Sequence, residues 1–399
     1  MSSTYRWRVV MALALFAVGC NNGNDSNNGA SNQPPSFNNT VLSTALAADG
    51  SGDVYVGGDF TTYDGAQTNR LVRLNGDGTI DPALPTALGF NGTVRSIVPA
   101  ANGGNLYVGG DFTTYNGIQE FRIVRVSANG AFDPAFVTGT GLNNSVHVIA
   151  PAADGSGDLY VGGAFSTYNG VAVNNLVRLN DDGTIDPSFV TGTGFNNTVY
   201  FVVPATDGSG DLYVGGAFTS YKGVTANNFV RLNADGTVDP SFVTGTGFDN
   251  TVYTIVPADD GSGDLYVGGA FTNYNGAVAN DLVRLNSNGV IDLFFATGTG
   301  FNNTVFHAAP VGDGSGDVYV GGAFTTYNGM PANQVVRLNQ NGTIDGVFSS
   351  GSGFSNTVFR VVPVGDGSGD VYVGGEFTQY QTTLIGRFVR LASTGAFIR

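Results

Sequence analysis

Few residues in this chain are of types that do chemistry. It has two histidines, His147 and His307, and one cysteine, Cys20. One cysteine excludes an intrachain disulfide and a cysteine-based zinc site. The histidines stand too far apart in sequence to make a local metal pair. Acids are more plentiful, with 31 Asp and Glu against 16 Lys and Arg. That balance repels phosphate backbones, so nucleic acid is not expected as a partner. No Gly-x-Ser-x-Gly elbow occurs, and no phosphate-cradling loop opens a helix.

The acids fall into three sets. Asp59, Asp111 and Glu376 share one position in three copies of a repeat, where the other copies carry Ala164, Ala217, Ala270 and Ala323. Acids on neighbouring modules would suit a cation. However, the same three copies carry Arg70, Arg122 and Arg387 eleven residues later. Acid and arginine appear and vanish together, so a cross-strand salt bridge is expected in each copy. In the second set, Arg231 faces Asp239 across a tight turn, and six copies show this spacing. Each such pair is expected to contribute about 0.2–1 kcal/mol. The third set is Asp-Gly-Ser-Gly-Asp, as at 154–158. Oxygens at alternate positions resemble the start of a calcium loop, but the sixth-position glycine and twelfth-position glutamate are missing. Turn preference explains Asp and Gly there. Calcium on Asp154 and Asp158 stays as the weaker alternative, and no other cofactor or metal is expected.

The repeat itself is marked by Tyr-Val-Gly-Gly. Its tyrosines are Tyr55, Tyr107, Tyr160, Tyr213, Tyr266, Tyr319 and Tyr372, spaced by 52 and then by 53 residues. A fixed period of this size means a repeat architecture. With 61 glycines and 14 prolines and no helical periodicity, the units read as all-β. In the fourth unit, residues 198–205, 211–221 and 227–233 read as strands. A short fourth strand at 237–239 precedes Pro240, the usual treatment of an exposed edge. Seven such units predict a seven-bladed β-propeller of four-stranded antiparallel blades, with the first strand of each blade innermost.

Comparison of the copies locates the positions free to differ. Near the start of the innermost strand one position runs Leu42, Arg95, His147, Tyr200, Tyr253, Phe306, Phe359. The next runs Ser43, Ser96, Val148, Phe201, Thr254, His307, Arg360. Arg95, His147, Tyr200, Tyr253, His307 and Arg360 are therefore the candidate ligand face at the channel mouth. Strand alternation puts His147 and His307 on opposite faces, which disfavours a shared metal or an acid–base pair. No catalytic residue is assigned. Trp7, the one tryptophan, lies in the leader, so sugar stacking would fall to tyrosine.

The units are similar to the delta-60 repeat family, β-propellers of exported bacterial proteins with no established activity. The resemblance rests on Tyr-Val-Gly-Gly-x-Phe, as at 213–218, and on the pattern from Val230 to Phe242, and it covers about residues 39–399. It implies export and a propeller, and no catalytic residue.

Residues 1–19 have the layout of a secretory signal. Arg6 and Arg8 precede a ten-residue, mostly apolar run that is too short to span a bilayer. Ala17-Val18-Gly19-Cys20 resembles the lipobox of bacterial lipoproteins, which implies lipid on Cys20 and attachment to a membrane. Asn21 after the cysteine implies the outer membrane or cell surface. Residues 20–37 are rich in Asn, Ser and Gly and read as a flexible tether. Residues 38–399 form the propeller. The expectation is a monomeric surface lipoprotein that binds or scaffolds a protein or glycan ligand. The alternative is a glycan-active hydrolase or lyase at the channel mouth, which would need Arg95, His147, His307 and Arg360 to converge.

Overall fold

The Tyr-Val-Gly-Gly segments form the middle strand of every blade, buried along their whole length. The computed structural model describes residues 34–100 and 104–398. Cys20, the leader and the start of the tether lie outside them. In the fourth blade the inner strand is Val199–Pro204, the middle Leu212–Gly216 and the outer Phe229–Leu232, all antiparallel. Among the described residues seven sheets repeat this order, and no helix occurs. Each inner strand packs against the next, and Val41–Leu46 of the first blade meets Val358–Pro363 of the last. The ring is thus closed.

The expected fourth strand is smaller than the sequence suggested. In six blades it is a single bridge, such as Leu232 to Val238. Only the last blade forms a strand there, Phe397–Ile398. Arg231 and Asp239 tie down the segment in place of a longer ladder.

Two glycines per blade are there for close approach. A Cβ on Gly215 would lie 2.6 Å from Val252 of the next blade, and one on Gly216 would lie 2.2 Å from the Thr198 carbonyl oxygen. The inner strand therefore passes tightly over the end of the middle strand. Its register slips there, between Val199 and Phe201, as a β-bulge. The same slip occurs in all seven inner strands.

Six of the seven outer-strand arginines hold more than one acid, while Arg337 holds Asp345 alone among the described residues. Arg231 reaches Asp239 at 3.1 Å, but also Asp207 at 2.6 Å and Asp211 at 2.9 Å, both from the Asp-Gly-Ser-Gly-Asp turn. Arg73, Arg178 and Arg284 likewise contact three carboxylates each. The second blade has no aspartate in that turn, and there Arg125 takes Asp181 from the following blade at 2.7 Å. Each guanidinium also lies over its blade's repeat tyrosine, 5.3 Å from the ring of Tyr213 in the fourth blade. The arginines of the first six blades are buried. Burial makes these pairs costly both to assemble and to break, so the surface-pair magnitude does not apply to them.

Phe37 and Ser36 belong to the ring, although the sequence placed them in the tether. Phe37 is 1% exposed and packs 4.3 Å from Phe60 and 4.5 Å from Tyr63. Its N–H donates to Gly386 O at 3.2 Å, and its own carbonyl accepts from Arg387 at 2.7 Å. It occupies the place that Phe90, Phe195, Phe248, Phe301 and Phe354 fill in other blades. The segment that precedes the first blade thereby completes the seam with the last.

Two stability predictions follow from these contacts. Phe37→Ala should cost about 3–5 kcal/mol in chemical unfolding, since it empties the seam. Arg284→Met should cost about 3–5 kcal/mol, because it strands three acids around one buried position. Adding Asp260→Asn and Asp292→Asn to Arg284→Met should recover part of that loss; no recovery would mean that packing, not charge, is what the arginine supplies.

Candidate functional site

The bulge decides what lines the channel mouth. A β-bulge inserts one unpaired residue and re-aims its side chain. The inserted residues are Leu42, Arg95, His147, Tyr200, Tyr253, Phe306 and Phe359. All seven line one cavity of about 180 Å³, joined by Phe201 and Arg360. The bulge breaks strict alternation, so Tyr200 and Phe201 border the same space, as do Phe359 and Arg360.

The cavity has two unlike halves. On one side His147, Tyr200, Tyr253, Phe306 and Phe359 form a continuous arc, with successive ring centroids 4.9–5.1 Å apart. The rings are tilted or edge-on to one another, the arrangement favoured by aromatic quadrupoles. On the other side stand Leu42 and Arg95. The Arg95 guanidinium grips Asp111, with Nε and Nη2 within 2.7–3.0 Å of the carboxylate. Burial opposes the Asp111 charge, but the bonds from Arg95 and Ser145 outweigh it and lower its pKa. Burial, aided by nearby Arg95, pulls the His147 imidazole down to about 4, so it is neutral at physiological pH.

His307 is not at the mouth itself. It is buried beneath it, 6.4 Å from the Phe201 ring, and its Nδ1 has no hydrogen-bond partner. Burial, with the Arg360 charge, holds it far below the ordinary histidine range. Arg360 donates through Nε to Leu42 O at 2.9 Å and forms no ion pair among the described residues. No hydrogen bond or ion pair joins Arg95, His147, His307 and Arg360 to one another; each of the two arginines is held by a separate partner. Arg95, His147 and Arg360 nevertheless line the same cavity, with His307 beneath it.

The expected acid–arginine bridges need correction. Asp59 and Arg70 do pair, loosely, at 3.8 Å, but Asp111 turns to Arg95 instead of Arg122, and Glu376 makes no ion pair with Arg387 among the described residues. The reason is the backbone. Arg70, Arg122 and Arg387 have φ of 71°, 73° and 63°. In this left-handed conformation their side chains reach carbonyls: Arg70 to Phe90 O at 2.8 Å, Arg122 to Asp111 O, and Arg387 to Phe37 O. Asn175 and Asn228 do the same, donating to Gly163 O and Gly216 O at 2.9 Å. The position selects a donor. The weaker calcium alternative also meets a competitor: Asp154 and Asp158 both point at the Arg178 guanidinium, at 2.5 and 2.8 Å.

Asp281 breaks the donor rule, for a carboxylate cannot donate. It is 8% exposed, and burial, with a contribution from Asp249, raises its pKa to about 7. The folded state therefore holds the proton more tightly than the unfolded chain. Stability associated with this group is full below about pH 4 and is lost as pH rises through about 7. Asp281→Asn should stabilise the protein at pH 8, on the order of 1–3 kcal/mol. The gain should shrink toward pH 4. Urea unfolding at both pH values checks this; a pH-independent gain would show that the carboxyl is ionised throughout.

Comparison with known proteins agrees with this architecture. The solved structure of the WD40 β-propeller domain of Doa1 is similar in fold, with a TM-score of 0.52 at 15% identity, covering 86% of this chain and 94% of that one. No curated protein matched the sequence. The family described as a domain of unknown function (DUF5122) β-propeller matches residues 48–83, 104–136, 155–189, 208–242, 261–295 and 314–348. With six successive units matched across most of the ring, this chain belongs to the DUF5122 β-propeller family.

Proposed function

We propose that this protein is an envelope-anchored binding module whose recognition face is the channel mouth. A lipid on Cys20 would hold it to the outer membrane or cell surface, and the following segment would space the monomeric propeller from the bilayer. The delta-60 resemblance of the repeats supports export. One observation carries the binding assignment. The repeats are nearly uniform, yet their seven inserted bulge residues differ and border a single cavity. Variation on a rigid frame is the pattern of a recognition surface.

The arc of rings favours a glycan over a protein segment. Half-buried tyrosine and phenylalanine rings offer faces and edges to sugar C–H groups. The inner strands offer an extended peptide little free edge. The backbone N–H groups of Ile97, Ile149 and Ala308 are already taken by Ser43, Ser96 and Thr254.

The test combines two variants. Cys20→Ser should abolish metabolic labelling with a lipid probe and release the protein from membranes. Tyr200→Ala with Tyr253→Ala should reduce capture of envelope glycans by the purified mature protein at least tenfold, with unfolding unchanged within about 1–2 kcal/mol. Undiminished capture would place recognition elsewhere on the propeller.

A further inference from the structure

Arg360 is unlike the seven outer-strand arginines. Acids or tyrosine oxygens around the seven outer-strand arginines outweigh burial and raise their pKa. Arg360 has no carboxylate within ion-pair distance among the described residues, and burial lowers it, to about 10. It is still a cation at neutral pH. Nε is used by Leu42 O, while neither terminal nitrogen has a partner among the described residues. A half-buried guanidinium on the cavity wall, with most of its donors unused, is free to take a ligand's acceptor atoms.

The neighbours of Arg360 narrow what that something is. His307 below it is neutral and presents an unpartnered Nδ1. Arg95, the other cation of the cavity, is already neutralised by Asp111. Aromatic rings supply the rest of the wall, and the Tyr200 hydroxyl has no hydrogen-bond partner among the described residues. The cavity thus combines one uncompensated planar fork, suited to a bidentate oxyanion, with ring faces suited to a pyranose.

Building on the reading of the mouth as a glycan site, we infer that Arg360 is the seat of a carboxylate carried on a saccharide ring, so that the ligand is an acidic sugar of the uronate class. The aromatic arc would hold the ring and Arg360 would select the charge. The overall acidity of the protein makes this selection local: the surrounding field disfavours anions, so affinity has to come from the desolvated contact.

The experiment uses the full mature protein, with a trigalacturonate probe and its fully methyl-esterified, neutral counterpart, in calorimetric titration. The wild type should bind the acid at least tenfold more tightly than the ester. Arg360→Met keeps the apolar stem and removes the charge. It should abolish that preference and leave ester binding within about twofold. Its melting temperature should change little, since the half-buried side chain loses one hydrogen bond, to Leu42 O. Tyr253→Ala should weaken both probes alike. Equal binding of acid and ester by the wild type, or a preference that survives in Arg360→Met, would overturn the charge assignment while leaving the aromatic mouth as a neutral-glycan site. Binding of neither probe would overturn the uronate assignment, and the broader glycan capture would remain its own test. Tighter binding of a free-carboxylate tripeptide than of the sugar acid would overturn it in favour of a peptide terminus.

Discussion

One guanidinium per blade, set over the repeat tyrosine and paired with carboxylates that in most blades come from separate segments, is the interaction on which the rest depends. In the fourth blade Arg231 lies on the outer strand, Asp207 and Asp211 on the turn between inner and middle strands, and Asp239 beyond the outer strand. A sheet of three short strands has little ladder with which to fix these parts. The arginine ties turn, strand and edge together at one point and is itself supported by the Tyr213 ring and hydroxyl. Buried charge of this kind is costly to assemble and more costly to break. Repeated around the ring, it gives blades of one shape, and only wedges of one shape close into a circle.

Closure then sets the chemistry of the mouth. The paired glycines let each inner strand press onto its own middle strand and onto the next blade. The same crowding accompanies the register slip that frees one residue per blade. Rim and mouth are thereby separated in role. The rim carries invariant structural charge, while the mouth carries residues that no ladder hydrogen bond constrains. Asp111 is an instructive case, since its acidic side chain is engaged by a mouth residue, Arg95, rather than by the rim.

Most of the architecture was legible in the sequence because it repeats. The period set the blade, and internal comparison singled out Arg95, His147, Tyr200 and Tyr253, which do border one cavity. What was not legible depends on local backbone geometry. Alternation presumes one residue per pleat, so it could not show that the bulge brings Tyr200 and Phe201, or Phe359 and Arg360, to the same cavity. Co-occurrence of acid and arginine suggested bridges, but left-handed φ at Arg70, Arg122 and Arg387 turned the arginines toward carbonyls. The turn aspartates were read as turn formers or, more weakly, as calcium ligands, and both readings missed their shared hold on Arg178. Phe37 was masked by its polar surroundings, although Phe37-Asn38-Asn39-Thr40 repeats the pattern of Phe195-Asn196-Asn197-Thr198.

The inserted residue in each inner strand has an evolutionary consequence. Because it contributes no rung to the sheet, it can be exchanged without renegotiating the blade around it. Duplication of a blade copies the scaffold and the writable letter together, and drift then rewrites only the letter. The ring behaves like a tumbler lock with seven pins cut independently. Related chains are expected to share the barrel of that lock and to differ in the key.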